Sequence, residues 1–276
     1  MVYLVLQCKY TGCLKLLQSK KVTTMSNKIA VITGGNRGLG KNTVLSLARK
    51  NIDCVFTYRS HKDEAQQVVE EVAALGAKAV AMQLDVSDIL GFAEFKQSLE
   101  SILKTQWQTS RFDYLINNAG HGSDSTFADT SEAIFDNLMN VHVKGVFFLT
   151  QTLHEMISGG GRIINLSSGL TRFALQGKAA YATMKGAVEV MTKYMAKELA
   201  GRNIAVNVVA PGAIATDFGG GVVRDNEDVA QLVSSFTAMG RVGQADDIGP
   251  MIAQLLGDEN RWVTGQRIEA SGGMFL

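Results

Sequence analysis

A chain of 276 residues with 46% hydrophobic and 19% charged side chains has a globular composition, enough to fill one large core or at most two small ones, and a single domain is the default expectation. No run approaches about eighteen consecutive apolar residues, which excludes a membrane-spanning helix. Net charge is +1, yet residues 1–26 hold four Lys and no acid, leaving 23 basic against 26 acidic residues, a net of −3, for the rest; a slightly acidic body without a basic stripe argues against a nucleic-acid partner.

The first 26 residues, MVYLVLQCKYTGCLKLLQSKKVTTMS, differ in character from residues 27–276. Their apolar run precedes the lysines, the reverse of a secretory signal, and the absence of Arg weakens a transit-peptide reading. A disordered tail ahead of a folded unit at 27–276 is expected, with Met25 as an alternative start. Cys8, Cys13 and Cys54 form no C-x-x-C pair and no disulfide framework. That usage suits a reducing compartment and leads to a cytoplasmic assignment, and no metal site is expected.

From residue 28 onward, short apolar runs alternate with segments of helical spacing. In chain order the runs are 29–35 (IAVITGG), 54–58 (CVFTY), 79–86 (AVAMQLDV), 114–120 (YLINNAG), 162–168 (RIINLSS), 204–212 (IAVNVVAPG) and 266–272 (QRIEASG). Most are near-continuously apolar and rich in Val and Ile, the pattern of strands buried on both faces of a parallel sheet. Between them, residues 63–76 have a polar start and a Gly stop, and residues 130–157 read as one long helix opened by a capping-type Thr130. The alternation predicts a single-domain α/β fold, a doubly wound parallel seven-stranded sheet of Rossmann type, with a crevice at the carboxyl ends of its strands.

Directly after the first run, TGGNRGLGKNTVLSLARK forms a Gly-rich turn that opens a helix. Gly34, Gly38 and Gly40 suit a tight turn, a close backbone approach to a pyrophosphate and a close helix-to-strand contact, with Asn36, Arg37 and Leu39 completing the loop. An ordinary Gly-rich turn is the competing reading. An NAD site usually presents an acid to the ribose about 20 residues further on. Here the second run ends in Thr57, Tyr58, Arg59 and Ser60, and the first acid is Asp63. Arg59 together with Arg37 can pair with a 2′-phosphate in the forked geometry of guanidinium, so NADP(H) is expected over NAD(H); two solvated surface arginines are the alternative.

Two Tyr-x-x-x-Lys spacings occur, Tyr58 with Lys62 and Tyr181 with Lys185. The first falls beside the adenosine end, where the spacing is coincidence. The second lies in YATMK, where positions i and i+4 share a helix face. An unperturbed Tyr has a pKa of about 10 and needs a nearby cation to shuttle protons at neutral pH.

With these features in place the chain resembles the short-chain dehydrogenase/reductase family. The resemblance covers residues 28–273 and rests on six motifs in the family's order: TGGNRGLG (33–40), DV (85–86), NNAG (117–120), the serine of NLSSG (165–169), YATMK (181–185) and PGAIAT (211–216). The glycine spacing is similar to that of the family's short single-domain oxidoreductases. The resemblance implies that Tyr181 is the acid/base and that Lys185 binds the nicotinamide ribose while lowering the tyrosine's pKa. It implies that Ser168, thirteen residues before Tyr181, polarises the substrate oxygen, rather than Ser167. It also implies that Asn117, Ala119 and Gly120 line the cofactor pocket, that Asp85 and Val86 meet the adenine, and that Ile214 and Thr216, in the segment opened by Pro211 and Gly212, hold the carboxamide. Gly265, Gln266, Gly272 and Gly273 resemble the family's closing strand and glycine pair. A homotetramer or homodimer built on the fourth and fifth helices is implied as well.

One position departs from the family. Where its members carry an Asn in a segment like V-N-x-x-G-x-F, this chain reads VHVKGVF and places His142 there. The family's Asn anchors a water in the proton relay behind the lysine. His also donates and accepts hydrogen bonds but titrates near about 6.5, which predicts a relay with a steeper loss at low pH; a satisfied core histidine is the equal alternative. His121 reads as a solvated loop residue, and Met184, Met191 and Met195 as packing. Residues 217–230, DFGGGVVRDNEDVA, look like a mobile lid. The leading expectation is an NADPH-dependent oxidoreductase acting on a small-molecule ketone or secondary alcohol, including 3-oxoacyl thioesters; the alternative is an NADP(H)-binding regulatory or scaffold protein without turnover.

Overall fold

In the computed structural model, which describes residues 27–276, IAVI forms β1 (Ile29–Ile32), buried at all four positions. The expected tail lies outside the described residues. Because successive side chains in a strand point to opposite faces, Ala30 and Ile32 enter one core while Ile29 and Val31 enter another. β2 (Asp53–Tyr58), β3 (Ala79–Gln83), β4 (Phe112–Asn117), β5 (Ile157–Leu166), β6 (Ala205–Pro211) and β7 (Arg267–Ala270) complete a seven-stranded sheet in the order β3-β2-β1-β4-β5-β6-β7. Every pairing is parallel. Each of the seven apolar runs overlaps one strand, with β2, β4 and β5 beginning before their runs.

The helices are α1 (Gly38–Ala48), α2 (Lys62–Ala74), α3 (Phe92–Trp107), α4 (Glu132–Met139), α5 (Gly145–Leu153), α6 (Ala179–Leu199), α7 (Val222–Asp225), α8 (Glu227–Ser235) and α9 (Gly249–Leu255). Val44 and Leu47 of α1, Val68 and Val72 of α2 and Ile252 of α9 fill the core on one face. Leu99 and Leu103 of α3 and Leu149 and Leu153 of α5 fill the other. Each fully buried Leu contributes about 1.5–3 kcal/mol of transfer free energy. The strand order reverses between β1 and β4, and the loops that diverge there open the crevice. Among the described residues no helix is long and apolar enough to cross a membrane.

The helix expected over 130–157 is broken. α4 runs into a π-helical turn, Asn140–Lys144, before α5 and a closing 3₁₀ turn, His154–Met156. The cap is Ser131 rather than Thr130, its Oγ accepting from the N–H of Ile134 at 3.3 Å. The break falls at Gly145, which packs against a distant segment. A Cβ there would collide with the carbonyl of Val86, just beyond β3, and its N–H reaches back five residues to the carbonyl of Asn140. π turns of this kind add a residue to the helix and re-aim the side chains that it carries.

Candidate active site

The glycine loop crosses the carboxyl end of β1 with Gly34 at φ +67° and Gly38 at φ +54°, conformations that favour glycine. A Cβ on Gly40 would collide with the carbonyl oxygen of Gly34, so the third glycine lets the helix close on the turn. α1 begins with no side-chain cap and no acid in its first turn. Its first N–H groups and the positive end of its dipole therefore stay available to an anion. An open cleft of about 280 Å³ passes this end, lined by Gly38, Lys41, Asn42, Thr216 and Arg224.

NNAG is stitched to this loop. Thr33 Oγ1 accepts from the N–H groups of Asn118 at 3.0 Å and Ala119 at 2.9 Å, while the Asn118 amide donates to the carbonyls of Thr33 at 2.9 Å and Gly34 at 3.0 Å. Asn117 is anchored from within: its amide donates to Asn165 at 2.8 Å and Thr150 at 3.0 Å, and the residue lines a small cleft with Thr33 and Ala119. Asn118, which the motif alone does not single out, makes the loop contacts.

At the end of β2, Arg59 and Ser60 are exposed, as is Arg37 of the glycine loop, and Tyr58 is half-buried. Tyr58 closes a strand and Lys62 opens α2, so that pair shares no helix face. Asn36 donates to Glu64 at 2.8 Å. The Asp85 carboxyl pays a desolvation cost yet is held below its ordinary range by the hydroxyl and N–H of Ser87 and by the charge of Arg59.

β5 delivers the serines. Ser167 is buried and donates to Glu189 Oε1 at 2.7 Å. Ser168 caps the 3₁₀ turn Gly169–Thr171, its Oγ accepting from the N–H of Leu170 at 3.2 Å, and its hydroxyl reaches the phenol of Tyr181. Tyr181 and Lys185 are buried one turn apart on α6. Lys185 Nζ donates to the carbonyl of Leu166 at 2.8 Å and lies 5.6 Å from the Tyr181 ring centroid. Burial pushes the phenol above its ordinary value, only partly offset by Ser168. Burial also pulls the lysine down to about 7. Burial dominates at both groups, because each is nearly enclosed and resists charge.

His142, on the π turn, is fully buried. Its Nε2 lies 2.8 Å from the carbonyl of His121, which can only accept, so the proton sits on Nε2. Nδ1 is then a lone-pair nitrogen, buried and without a hydrogen-bond partner. The ring meets Tyr181 edge-on, centroids 5.3 Å apart. Burial first, then the charge of Lys185, pulls its pKa to about 2. A ring this enclosed resists protonation, which runs against titration near about 6.5.

A family model described as enoyl-(acyl carrier protein) reductase matches residues 34–275. The chain belongs to the short-chain dehydrogenase/reductase family. A 3-oxoacyl-[acyl-carrier-protein] reductase of Staphylococcus epidermidis is 34% identical over 252 residues, covering 91% of this chain and 100% of that protein. Among solved structures, the promiscuous reductase LugOII, which catalyses keto-reduction at C1 in lugdunomycin biosynthesis, is 35% identical with a TM-score of 0.86, covering 91% of this chain and 99% of its own. The angucycline C-6 ketoreductase LanV, solved with bound NADP, is 31% identical with a TM-score of 0.85, covering 90% and 95%.

As a short-chain dehydrogenase/reductase, the chain brings Ser168, Tyr181, Lys185 and His142 together, and sets the glycine loop, Ala119 and Gly120 across from them. Pro211 ends β6, Gly212 packs against Ser271, Ile214 bridges to Gly243, and Thr216 lies against Gly38. The side chain of Gly38, were it to have one, would meet Thr216 at 3.7 Å. Sequence patterns do not single out Phe218, whose ring lies 5.9 Å from that of Tyr181 and whose edge packs near Gly122. Three glycines in left-handed conformations succeed it, Gly219, Gly220 and Gly221. His121 is half-buried, and its backbone carbonyl, which no sequence pattern flags, holds His142. Met184 packs with Tyr181 in a small core and Met195 lies against a larger one.

Proposed function

We propose that this chain is an NADPH-dependent carbonyl reductase that hands a proton from Tyr181 to the oxygen of a ketone and runs in reverse on a secondary alcohol. The observation that carries this reading is the convergence of Ser168, Tyr181 and Lys185 at the carboxyl end of β5, across the β1/β4 switch point from an uncapped helix start behind left-handed glycines. The residues fit a phosphorylated dinucleotide. The N–H groups of α1 suit the pyrophosphate, and Arg37 and Arg59 are exposed at the adenosine end, where they can pair with a 2′-phosphate. When bound, the cofactor supplies the hydride.

The chain's own residues do the rest. Ser168 donates to the carbonyl oxygen as negative charge builds on it. Tyr181, which burial keeps protonated, is the proton donor, and its pKa must fall for the reverse direction. Lys185, one turn away on the same helix face, is the cation placed to lower it. Neutral His142 packs the phenol from the side and offers Nδ1 as an acceptor. The bound NADP of LanV and the 3-oxoacyl substrate named for the staphylococcal relative support the cofactor and the ketone class.

The test monitors oxidation of NADPH over a panel of ketones that includes a 3-oxoacyl thioester, with wild type and Tyr181→Phe side by side. Turnover in wild type that vanishes in the variant supports the reading. Tight NADPH binding with no turnover on any ketone would leave the scaffold alternative standing.

We infer further a homo-oligomer, tetramer or dimer, supported by Phe135 on α4 and Phe147 and Phe148 on α5, which remain 38%, 44% and 36% exposed. A reducing, cytoplasmic location is supported by the free buried thiol of Cys54.

A further inference from the structure

We propose that Glu189 and Arg267 form a clamp that positions Ser168 against Tyr181, extended through Glu269 and Arg172 to the last residues of the chain. The proposal rests on the carbonyl-reductase reading for its activity measurements and on geometry for the rest.

Glu189 lies on α6 one turn beyond Lys185. Its Oε1 accepts from Ser167 Oγ at 2.7 Å, Thr171 Oγ1 at 2.7 Å and Arg267 Nε at 2.8 Å. Arg267, on β7, also donates from Nη2 to the carbonyl of Ser168 at 3.3 Å and to Thr171 Oγ1 at 3.1 Å, and from Nη1 to Glu269 Oε2 at 2.8 Å. Glu269 in turn accepts from Arg172 Nε at 2.9 Å and Nη2 at 2.6 Å, and from Ser271 Oγ at 2.6 Å. Arg172 then donates to the carbonyls of Met274 at 2.5 Å and Phe275 at 3.0 Å.

The residue before Ser168, the carbonyl of Ser168 and the residue three beyond it are therefore all held by two side chains that arrive from other elements. Neither side chain engages the Ser168 hydroxyl, which faces Tyr181. Two features distinguish this from an incidental surface pair. The side chains of Glu189 and Arg267 are only 18% and 24% exposed, and four charges alternate in sign along a connected network, the arrangement in which ion pairs acquire real strength. The far end of the network reaches the segment after α8, because the ring of Phe275 packs between Phe173 at 4.7 Å and Phe236 at 4.8 Å.

Glu189 and Arg267 are thus positioning residues. A displacement of about 1 Å at a reacting centre costs about 100-fold in rate, so Glu189→Gln and Arg267→Ala are each expected to lower kcat by about 10- to 100-fold while the NADPH dissociation constant stays at the wild-type value. Arg267 is partly exposed, so guanidinium ion in solution is expected to restore part of the kcat of Arg267→Ala. Unchanged kcat in both variants, or parallel loss of kcat and NADPH binding without guanidinium rescue, would overturn the proposal.

A second measurement does not depend on turnover. A fluorotyrosine in place of Tyr181 has a lower intrinsic pKa, and its titration is monitored by fluorine NMR. The groups facing the phenol are Ser168 from the turn after β5, Lys185 from its own helix, His142 from the π turn and Phe218 from the lid. Glu189→Gln leaves all four in place, so a raised titration midpoint reads the loosened Ser168 contact, and an unmoved midpoint sinks the clamp. Failure of wild type to reduce any ketone would instead count against the reductase reading and leave this second test intact.

Discussion

His142 donates its Nε2–H to the carbonyl of His121 at 2.8 Å, and that bond fixes the ring with Nδ1 enclosed beside Tyr181. The consequence is a folded state that resists protonation. The unfolded chain takes up a proton on this imidazole below about 6.5, whereas burial and Lys185 hold the folded pKa at about 2. Between those values the unfolded state binds more protons, so stability rises with pH and is lost as pH falls through that window. The slope from this one group approaches about 1.4 kcal/mol per pH unit. His142→Asn is expected to flatten the fall of Tm between about pH 6.5 and 4.5, and equal slopes in the two proteins would refute the buried neutral ring. The acidic limb of the pH–rate profile should be the same in both, because His142 does not titrate there.

Gly120 exists for the same ring. A Cβ on Gly120 would lie 2.6 Å from His142 Cε1. Gly120→Ala overpacks the site and is expected to cost about 1–3 kcal/mol, measured by chemical denaturation. Combining it with His142→Asn should recover part of that loss, since the shorter side chain vacates the contested volume. A double variant as unstable as the sum of the singles would show that the clash lies elsewhere.

How much of this is legible in one dimension depends on how far away the deciding atom lies. The central strands are readable because a strand buried on both faces is apolar along its length, and β1 reads IAVI with no polar residue, whereas β7, RIEA and half-buried, shows that pattern least. The glycine loop is readable because its cause is local: positive φ at Gly34 and Gly38 needs glycine whatever surrounds it. The π turn is not, because Gly145 at its end packs against the carbonyl of Val86, distant in sequence and adjacent in space. The anchors of the Asn117 amide, Asn165 and Thr150, are likewise set by the fold, being distant in sequence. For His142 the residue type supplies the ordinary pKa and burial reverses its meaning, and burial is a property of the fold.

The two Tyr-x-x-x-Lys spacings make a direct comparison. Tyr58 closes β2 and Tyr181 sits on α6 beside Ser168. Tyr181→Phe is expected to lower kcat by about 10²- to 10⁴-fold, the ordinary worth of a positioned proton donor, with NADPH affinity retained. Tyr58→Phe should leave kcat unchanged. A large loss of kcat in Tyr58→Phe would contradict the assignment of the first pair to the adenosine end.

Arg59 carries the choice of cofactor. It stands exposed at the end of β2, its charge felt by Asp85, and the chain offers no acid there before Asp63. A guanidinium paired with a phosphate is worth about 1.5–3 kcal/mol, and a carboxylate in its place repels the same group. Arg59→Asp is therefore expected to weaken NADPH binding by at least about 10-fold while leaving NADH unaffected or improved, read by fluorescence titration of both cofactors. Because exposed charges are screened, the wild-type preference for NADPH should itself shrink as ionic strength rises, whereas in the variant salt screens a repulsion and should relax the discrimination against NADPH. An unchanged ratio of the two affinities in Arg59→Asp would move the 2′-phosphate contact from Arg59 to Arg37, which the matching Arg37→Asp variant then tests by the same titration.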